Sequence, residues 1–346
     1  MSLDFKGKTA LVTGSAMGIG RGISEGLARQ GADLALADLP SQEANLRQWA
    51  GRISKSYGIR TWTFTVDLTD AEGPESLYHE VVSRAGDIDI LVNNAGICWF
   101  GDFPDMPLDR MEKMILLNCL AGAKLSRLCL SSMIERDCGA ILNLSSISAF
   151  QPVPRMAVYA ATKAFTQSLS EAIRDEVSLT SKVRVCTLNP PFTRTSLISD
   201  AGVPQDFIPL LTSFMGVEDV ARSGIDALKK GKPRFVPGLF NKVMYLFVAR
   251  YLPRTLLSAL TRLLCHRLSD LVPVLGASRL DKIRNTGGES YDRNVPEQQV
   301  QISERSAGDV TAVFHQNRRG SMHRVRSVRQ AVSLPDHRTG QEKDAV

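Results

Sequence analysis

A doubly wound α/β fold around a parallel sheet is what this sequence predicts, and three observations carry the prediction. Short, β-rich apolar runs alternate with amphipathic helical stretches from residue 9 to residue 237. A glycine cluster, Gly14, Gly18 and Gly20, parts the first run from the first helical stretch. Several runs end in acidic, amide or hydroxyl residues (Asp38, Asp67, Asn93, Ser146), at the strand ends where such sheets bind ligands.

The elements follow in order. Residues 9–13, Thr-Ala-Leu-Val-Thr, suit a buried parallel strand. The spacing G-x-x-x-G-x-G then lets the backbone turn and approach a pyrophosphate, with Ser15 and Ile19 inside the turn. A helix over 21–30 follows, and its N-terminus offers N–H donors to phosphate. The strand at 32–38 ends in Asp38, 24 residues after Gly14. A carboxylate there accepts both hydroxyls of an adenine ribose and repels a 2′-phosphate, so NAD is expected over NADP. A helix at 41–57, a strand at 61–66 ending before Asp67 and Leu68, and a helix to about 85 come next, with Thr69 or Asp70 as the expected cap. The strand at 87–92 runs into Asn93, Asn94, Ala95 and Gly96 at the crevice. A long helix over 108–137 carries Asn118 at mid-length. The strand at 141–145 leads to Ser146, and a helix spans 157–180. A strand at 183–188, the turn Asn189-Pro190-Pro191, a helix at 217–230 and a last strand at 232–237 complete the domain, 1–237.

Chemistry concentrates at Ser146, Tyr159 and Lys163. Tyr159 and Lys163 are four apart, so a helix stacks them on one face. A phenol ionises near ~10, and a neighbouring ammonium favours the phenolate and draws that value toward neutrality. Ser146 leaves the strand end, where its hydroxyl can hold a carbonyl or alcohol oxygen beside the phenol. Six tyrosines make a bare Tyr-x-x-x-Lys match weak evidence, and the glycine loop upstream is what gives it weight.

Taken jointly, Thr13-Gly-x-x-x-Gly-x-Gly20, Asp67, Asn93-Asn-Ala-Gly96, Asn118, Ser146 and Tyr159-x-x-x-Lys163 resemble the short-chain dehydrogenase/reductase family over about residues 5–235. The resemblance implies a nicotinamide-dependent oxidoreductase. Tyr159 would be the acid/base and Ser146 would orient the substrate oxygen. Lys163 would bind the nicotinamide ribose and lower the tyrosine pKa, and Asn118 would support a relay water. Asp67 resembles the residue that contacts adenine, and Thr195 matches the family's threonine. Pro191 stands where the family usually has glycine, beside Pro190; it removes an N–H donor and fixes φ. The family also implies a homodimer or homotetramer, with the helices at 108–137 and 157–180 as interface.

The substrate loops are apolar: residues 97–100, 150–154, Met156, Phe192 and 196–215. They favour an apolar carbonyl or secondary alcohol over a sugar. Six scattered cysteines without a C-x-x-C pair indicate free thiols and no metal site. With no apolar leader and no uncharged run near ~20 residues, a cytoplasmic protein is expected.

Charge divides the chain. Residues 1–231 hold 23 basic and 26 acidic side chains, whereas 232–270 hold 7 and 1. An extension over 238–269 reads as two apolar-basic helices parted at Leu252-Pro253. It can cap the pocket, pack on a sister subunit or, through 239–268, lie on an anionic membrane surface. Residues 270–346 lose periodicity and read as a disordered tail, and nucleic-acid binding is not expected. The alternative to an enzyme is a redox-sensing module that keeps the dinucleotide site and signals through the basic C-terminal region. The complete Asn–Ser–Tyr–Lys set argues against it.

Overall fold

The computed structural model describes residues 3–203, 214–245, 251–253 and 255–259, and the backbone of 314–316 and 322–324. The chain divides into two compact units, 1–283 and 284–346.

The first unit is built on a seven-stranded sheet. Its strands are β1 (Thr9–Thr13), β2 (Asp33–Asp38), β3 (Thr61–Thr65), β4 (Ile90–Asn93), β5 (Ala140–Leu144), β6 (Arg184–Leu188) and β7 (Arg234–Phe235). They lie in the order β3-β2-β1-β4-β5-β6-β7, all parallel. The order reverses between β1 and β4, which opens a crevice at their C-terminal ends.

Strand alternation feeds two cores. Ala10, Val12, Leu34, Leu36, Ile90 and Val92 face one, with Ile23 and Leu27 of α1 (Gly18–Ala28), Trp49 and Ile53 of α2 (Glu43–Tyr57) and Ile225. Leu11, Ala35, Leu91, Ile141 and Val185 face the other, against Leu77 and Val81 of α3 (Gly73–Ala85). A sheet covered on both sides needs apolar residues at successive positions, which is why its strands read as continuous runs.

Next come α4 (Leu108–Ile115) and α5 (Gly122–Glu135), joined without a break by a π-helical stretch, Leu116–Ala121. The whole rod, Leu108–Glu135, is long and apolar enough to cross a membrane. Its buried residues, Met114, Asn118, Ala121, Leu125, Cys129 and Met133, recur at helical spacing, the pattern of a helix packed on a core. The remaining helices are α6 (Ala157–Ser178), α7 (Ser196–Asp200), α8 (Val217–Lys230) and α9 (Leu239–Val243).

Two expectations need correction. The helix α3 begins at Gly73 and neither Thr69 nor Asp70 caps it; Thr69 instead donates through N and Oγ1 to Asp67 Oδ1. The rod at 108–137 is not one α-helix but carries the π stretch. Of the two helices in the extension, α9 and a helical stretch over 255–259 are described; residues 246–250, 254 and 260–269 lie outside the described residues. So does the expected tail, apart from a short antiparallel pair in the second unit, β8 (Phe314–Gln316) with β9 (Met322–Arg324).

Candidate active site

The glycine loop is held from behind. Asn94 Nδ2 donates to Thr13 O and Gly14 O, both at 2.9 Å. Thr13 Oγ1 in turn accepts from Asn94 N and Ala95 N at 3.1 Å. Gly14 has φ +63°, and a Cβ on Gly20 would stand 2.2 Å from Gly14 O and 2.4 Å from Asn94 Nδ2. Only glycine fits there. Met17, ahead of α1, brings no capping side chain, and the first turn has no acidic residue. Its N–H groups and the helix dipole therefore suit an anionic ligand.

Along the crevice, Asp38 Oδ2 accepts from Ala16 N at 2.8 Å and Oδ1 from Leu39 N at 2.9 Å, which leaves each oxygen acceptor capacity. Asp67 closes its own turn through Thr69, and Leu68 is buried in the core beneath. Ile19 packs on the opposite core. On the far side, Pro190 O accepts from Ile147 N at 3.1 Å, and Thr195, at the start of α7, brings its Cγ2 within 3.4 Å of a Cβ built on Gly18. The 190–195 loop thus closes on the glycine loop. Ser15 is different: it is fully buried, with N–H and hydroxyl both donating to Ala37 O at 3.2 Å. A donor contact from Ser15 to a cofactor is not available in this arrangement. The cradle, the uncapped helix and the Asp38 carboxylate together fit a dinucleotide.

The catalytic candidates meet where β4 and β5 end. Lys163 Nζ, on α6, donates to Leu144 O at 2.8 Å and lies 5.6 Å from the Tyr159 ring centroid. A Cβ on Gly96 would stand 3.0 Å from Asn118 Oδ1 and 3.5 Å from Lys163 Nζ, so the missing side chain lets these groups converge. Asn118 sits in the π stretch, its amide bonded both ways to Ile97: Oδ1 accepts from Ile97 N and Nδ2 donates to Ile97 O, each at 2.9 Å. Ser145 and Ser146 separate cleanly. Ser145 Oγ donates to Lys163 O at 2.8 Å, whereas the Ser146 hydroxyl meets the phenol of Tyr159.

The electrostatics differ from expectation. Burial, with a smaller push from Cys98, raises the Tyr159 pKa, and the Ser146 hydrogen bond only partly opposes it. Burial, and not the neighbouring Lys163 ammonium, sets the direction of the Tyr159 shift. Burial lowers Lys163 itself to about 8. Around the phenol lies an apolar cluster: Cys98, Phe100, Met114, Val153, Met156 and Ala201, with Trp99 and Leu197 against it. Residues 204–213 of the expected pocket lie outside the described residues.

Thr13, which opens the glycine motif, holds the Asn94–Ala95 backbone through its hydroxyl. One contributor escaped sequence reasoning. Met114 enters the pocket wall from α4, and helical periodicity alone does not tell pocket from core.

A family model described as short chain dehydrogenase matches residues 8–204. The chain belongs to the short-chain dehydrogenase/reductase family. Short-chain dehydrogenases/reductases are NAD(P)-dependent oxidoreductases of carbonyl/alcohol pairs, and this chain is one of them. The very-long-chain 3-oxoacyl-CoA reductase of Bos taurus is 34% identical over 225 residues, 61% of this chain and 70% of that protein. A short-chain dehydrogenase from Sphingobium yanoikuyae in complex with NADPH aligns with TM-score 0.63 and 25% identity, covering 83% of this chain and 100% of that one. A short-chain dehydrogenase/reductase from Burkholderia phymatum in complex with NAD has TM-score 0.63, 21% identity and coverage of 72% and 93%, a likeness of fold.

Proposed function

We propose that this chain interconverts an apolar ketone and its secondary alcohol with NAD(H), using Tyr159 as general acid/base. The observation that carries the reading is the Tyr159 hydroxyl against Ser146, over Lys163 and inside an apolar cluster. Bound in the crevice, the nicotinamide supplies or accepts the hydride. Gly14, Gly18 and Gly20 would hold its diphosphate, Asp38 the adenine ribose, Asp67 and Leu68 the adenine, and Asn94, Ala95, Gly96, Pro190 and Thr195 the nicotinamide half. Lys163 would hold the nicotinamide ribose. Ser146 positions the substrate oxygen, and Tyr159 gives it a proton in reduction and takes one in oxidation. Asn118 keeps the Lys163 end of this chain in place and supports its water.

Apolar walls favour substrates such as the long acyl chain named for the Bos taurus relative. The Asp38 carboxylate favours NAD over NADP, because a 2′-phosphate would meet like charge. Association into a dimer or tetramer is supported by exposed apolar side chains on the paired helices, Ile115, Leu120 and Phe165.

A panel of ketones assayed with NADH and NADPH tests the reading. The Tyr159→Phe variant should lose about 10²–10⁴ in kcat on the best substrate while its NADH binding, followed by fluorescence, stays within a few-fold. Near-wild-type turnover by that variant would remove Tyr159 from the chemistry. A higher kcat/KM with NADPH would overturn the cofactor preference alone.

A further inference from the structure

The helix α9 lies beyond the region the family model matches, and its two sides differ. Inward, Asn241 is fully buried; its Nδ2 donates to Pro237 O at 3.2 Å and approaches Met215 Sδ at 3.9 Å. Met215 N donates to Phe192 O at 3.1 Å, and Met215 bridges Thr193. Tyr245, just after α9, stacks on Phe150 with centroids 6.0 Å apart and shares a buried cluster with Ile147 and Val236. The inner side therefore rests on the loop that begins at Ser146 and on the 190–195 loop.

Outward, the same segment is apolar. Leu239 is 80% exposed, Phe240 53% and Val243 45%, with Tyr251 at 78% and Leu256 at 47% further on. Lys242 is exposed between them. Single exposed apolar residues are ordinary, but five among the described residues between 239 and 256 are not. The sequence around them, 232–270, holds 7 basic residues and 1 acidic one. Exposed apolar and aromatic side chains beside Lys242, in a stretch of sequence rich in Lys and Arg, match one surface in particular: apolar at depth and negative at its face.

We propose that α9, through Leu239, Phe240 and Val243, with Tyr251 and Leu256 further on, seats this protein on an anionic lipid bilayer, with the catalytic loops directly behind α9. An apolar substrate then enters from the membrane side, a consequence that rests on the active-site reading; the seating does not. A second copy of the chain is the competing occupant, but the body 1–231 offers only three more acids than bases for a basic strip to meet.

Co-sedimentation of the full chain with phosphatidylglycerol vesicles, against phosphatidylcholine vesicles, tests the seat. The protein should pellet with the former, not the latter, and should be released by high salt. Leu239→Asp combined with Phe240→Asp should weaken vesicle binding at least about tenfold, and leave turnover of a short water-soluble ketone unchanged. Should that pair lower Tm, the exposed single Tyr251→Asp carries the same expectation. Absence of wild-type binding to phosphatidylglycerol overturns the proposal, as does unchanged binding by a folded variant. Light scattering in which the variant dissociates a wild-type dimer overturns it too and assigns the face to a second copy. Failure on every ketone with vesicle binding intact would count against the active-site reading alone.

Discussion

Burial shifts Tyr159 and Lys163 in opposite directions at the same spot. Desolvation favours the neutral phenol and the neutral amine alike, so Tyr159 keeps its proton while Lys163, at about 8, loses its charge within the working range. For carbonyl reduction, which requires a protonated Tyr159 and a charged Lys163, the sign follows. The kcat/KM should be level below about pH 8 and fall above it. A profile level to pH 10, or a fall that survives in Lys163→Arg, would remove Lys163 as its cause. Steric demands are equally local at Gly20, where both neighbours of an added Cβ belong to the strapped loop. Gly20→Ala should lower NADH affinity more than about tenfold and cost roughly 1–3 kcal/mol, read by titration and thermal unfolding. The contrasting Gly51→Ala, with nothing within 4 Å of its Cβ, should gain about 0.5–1 kcal/mol, since glycine weakens a helix interior. At this scale Ser146, Tyr159 and Lys163 were legible because strand-end and i,i+4 geometry follow from local structure. The direction of the Tyr159 shift was not, since burial is a property of the surroundings.

Among the elements, the strand ends beside the site carry an unusual polar seam. Asn93 Nδ2 donates to Asn143 Oδ1 at 2.8 Å and to Ser126 Oγ at 2.9 Å, and Asn143 Nδ2 donates to Ser170 Oγ at 2.8 Å. Two strands and two helices, β4, β5, α5 and α6, are thereby tied behind Lys163. Asn143→Ala removes an acceptor and a donor from a buried network and leaves a small void. It should cost about 2–3 kcal/mol and lower Tm by roughly 5–10 °C. An unchanged Tm would mean the seam contributes nothing. Sequence periodicity placed these strands but could not show that asparagines at two of them face each other, because strand neighbours are set by topology. The π stretch was invisible for a related reason. Leu116–Ala121 has ordinary helical composition, and its wider i→i+5 turn shows only in the folded chain, where Asn118 is bonded both ways to the Ile97 backbone.

Over the whole molecule, buried thiols govern behaviour in alkali. Burial pushes Cys98, Cys129 and Cys186 up to about 12, from an ordinary value of 9.0. Their contribution to stability is complete below pH 9 and is lost as pH rises toward 12, because the unfolded thiols ionise first. Lys163 works the other way between about 8 and its ordinary 10.5: its burial cost is relieved as the proton leaves. Three thiols outweigh one lysine, so Tm should hold between pH 8 and 9 and fall steeply above, and Cys129→Ala should make the fall shallower. A Tm unchanged to pH 10.5 would rule this out.

The order of residues was enough to decide the alternation of strands and helices, the glycine turn and the placing of Tyr159 and Lys163 on one helix. Each follows from periodicities and spacings no longer than a few helical turns. Folding decided what brings distant segments together: Asn94 and Thr13 behind the glycine loop, Met114 in the pocket wall, and α9 against the Ser146 loop. Such contacts depend on which strands pair and which faces are buried, and a short stretch of chain carries no record of either.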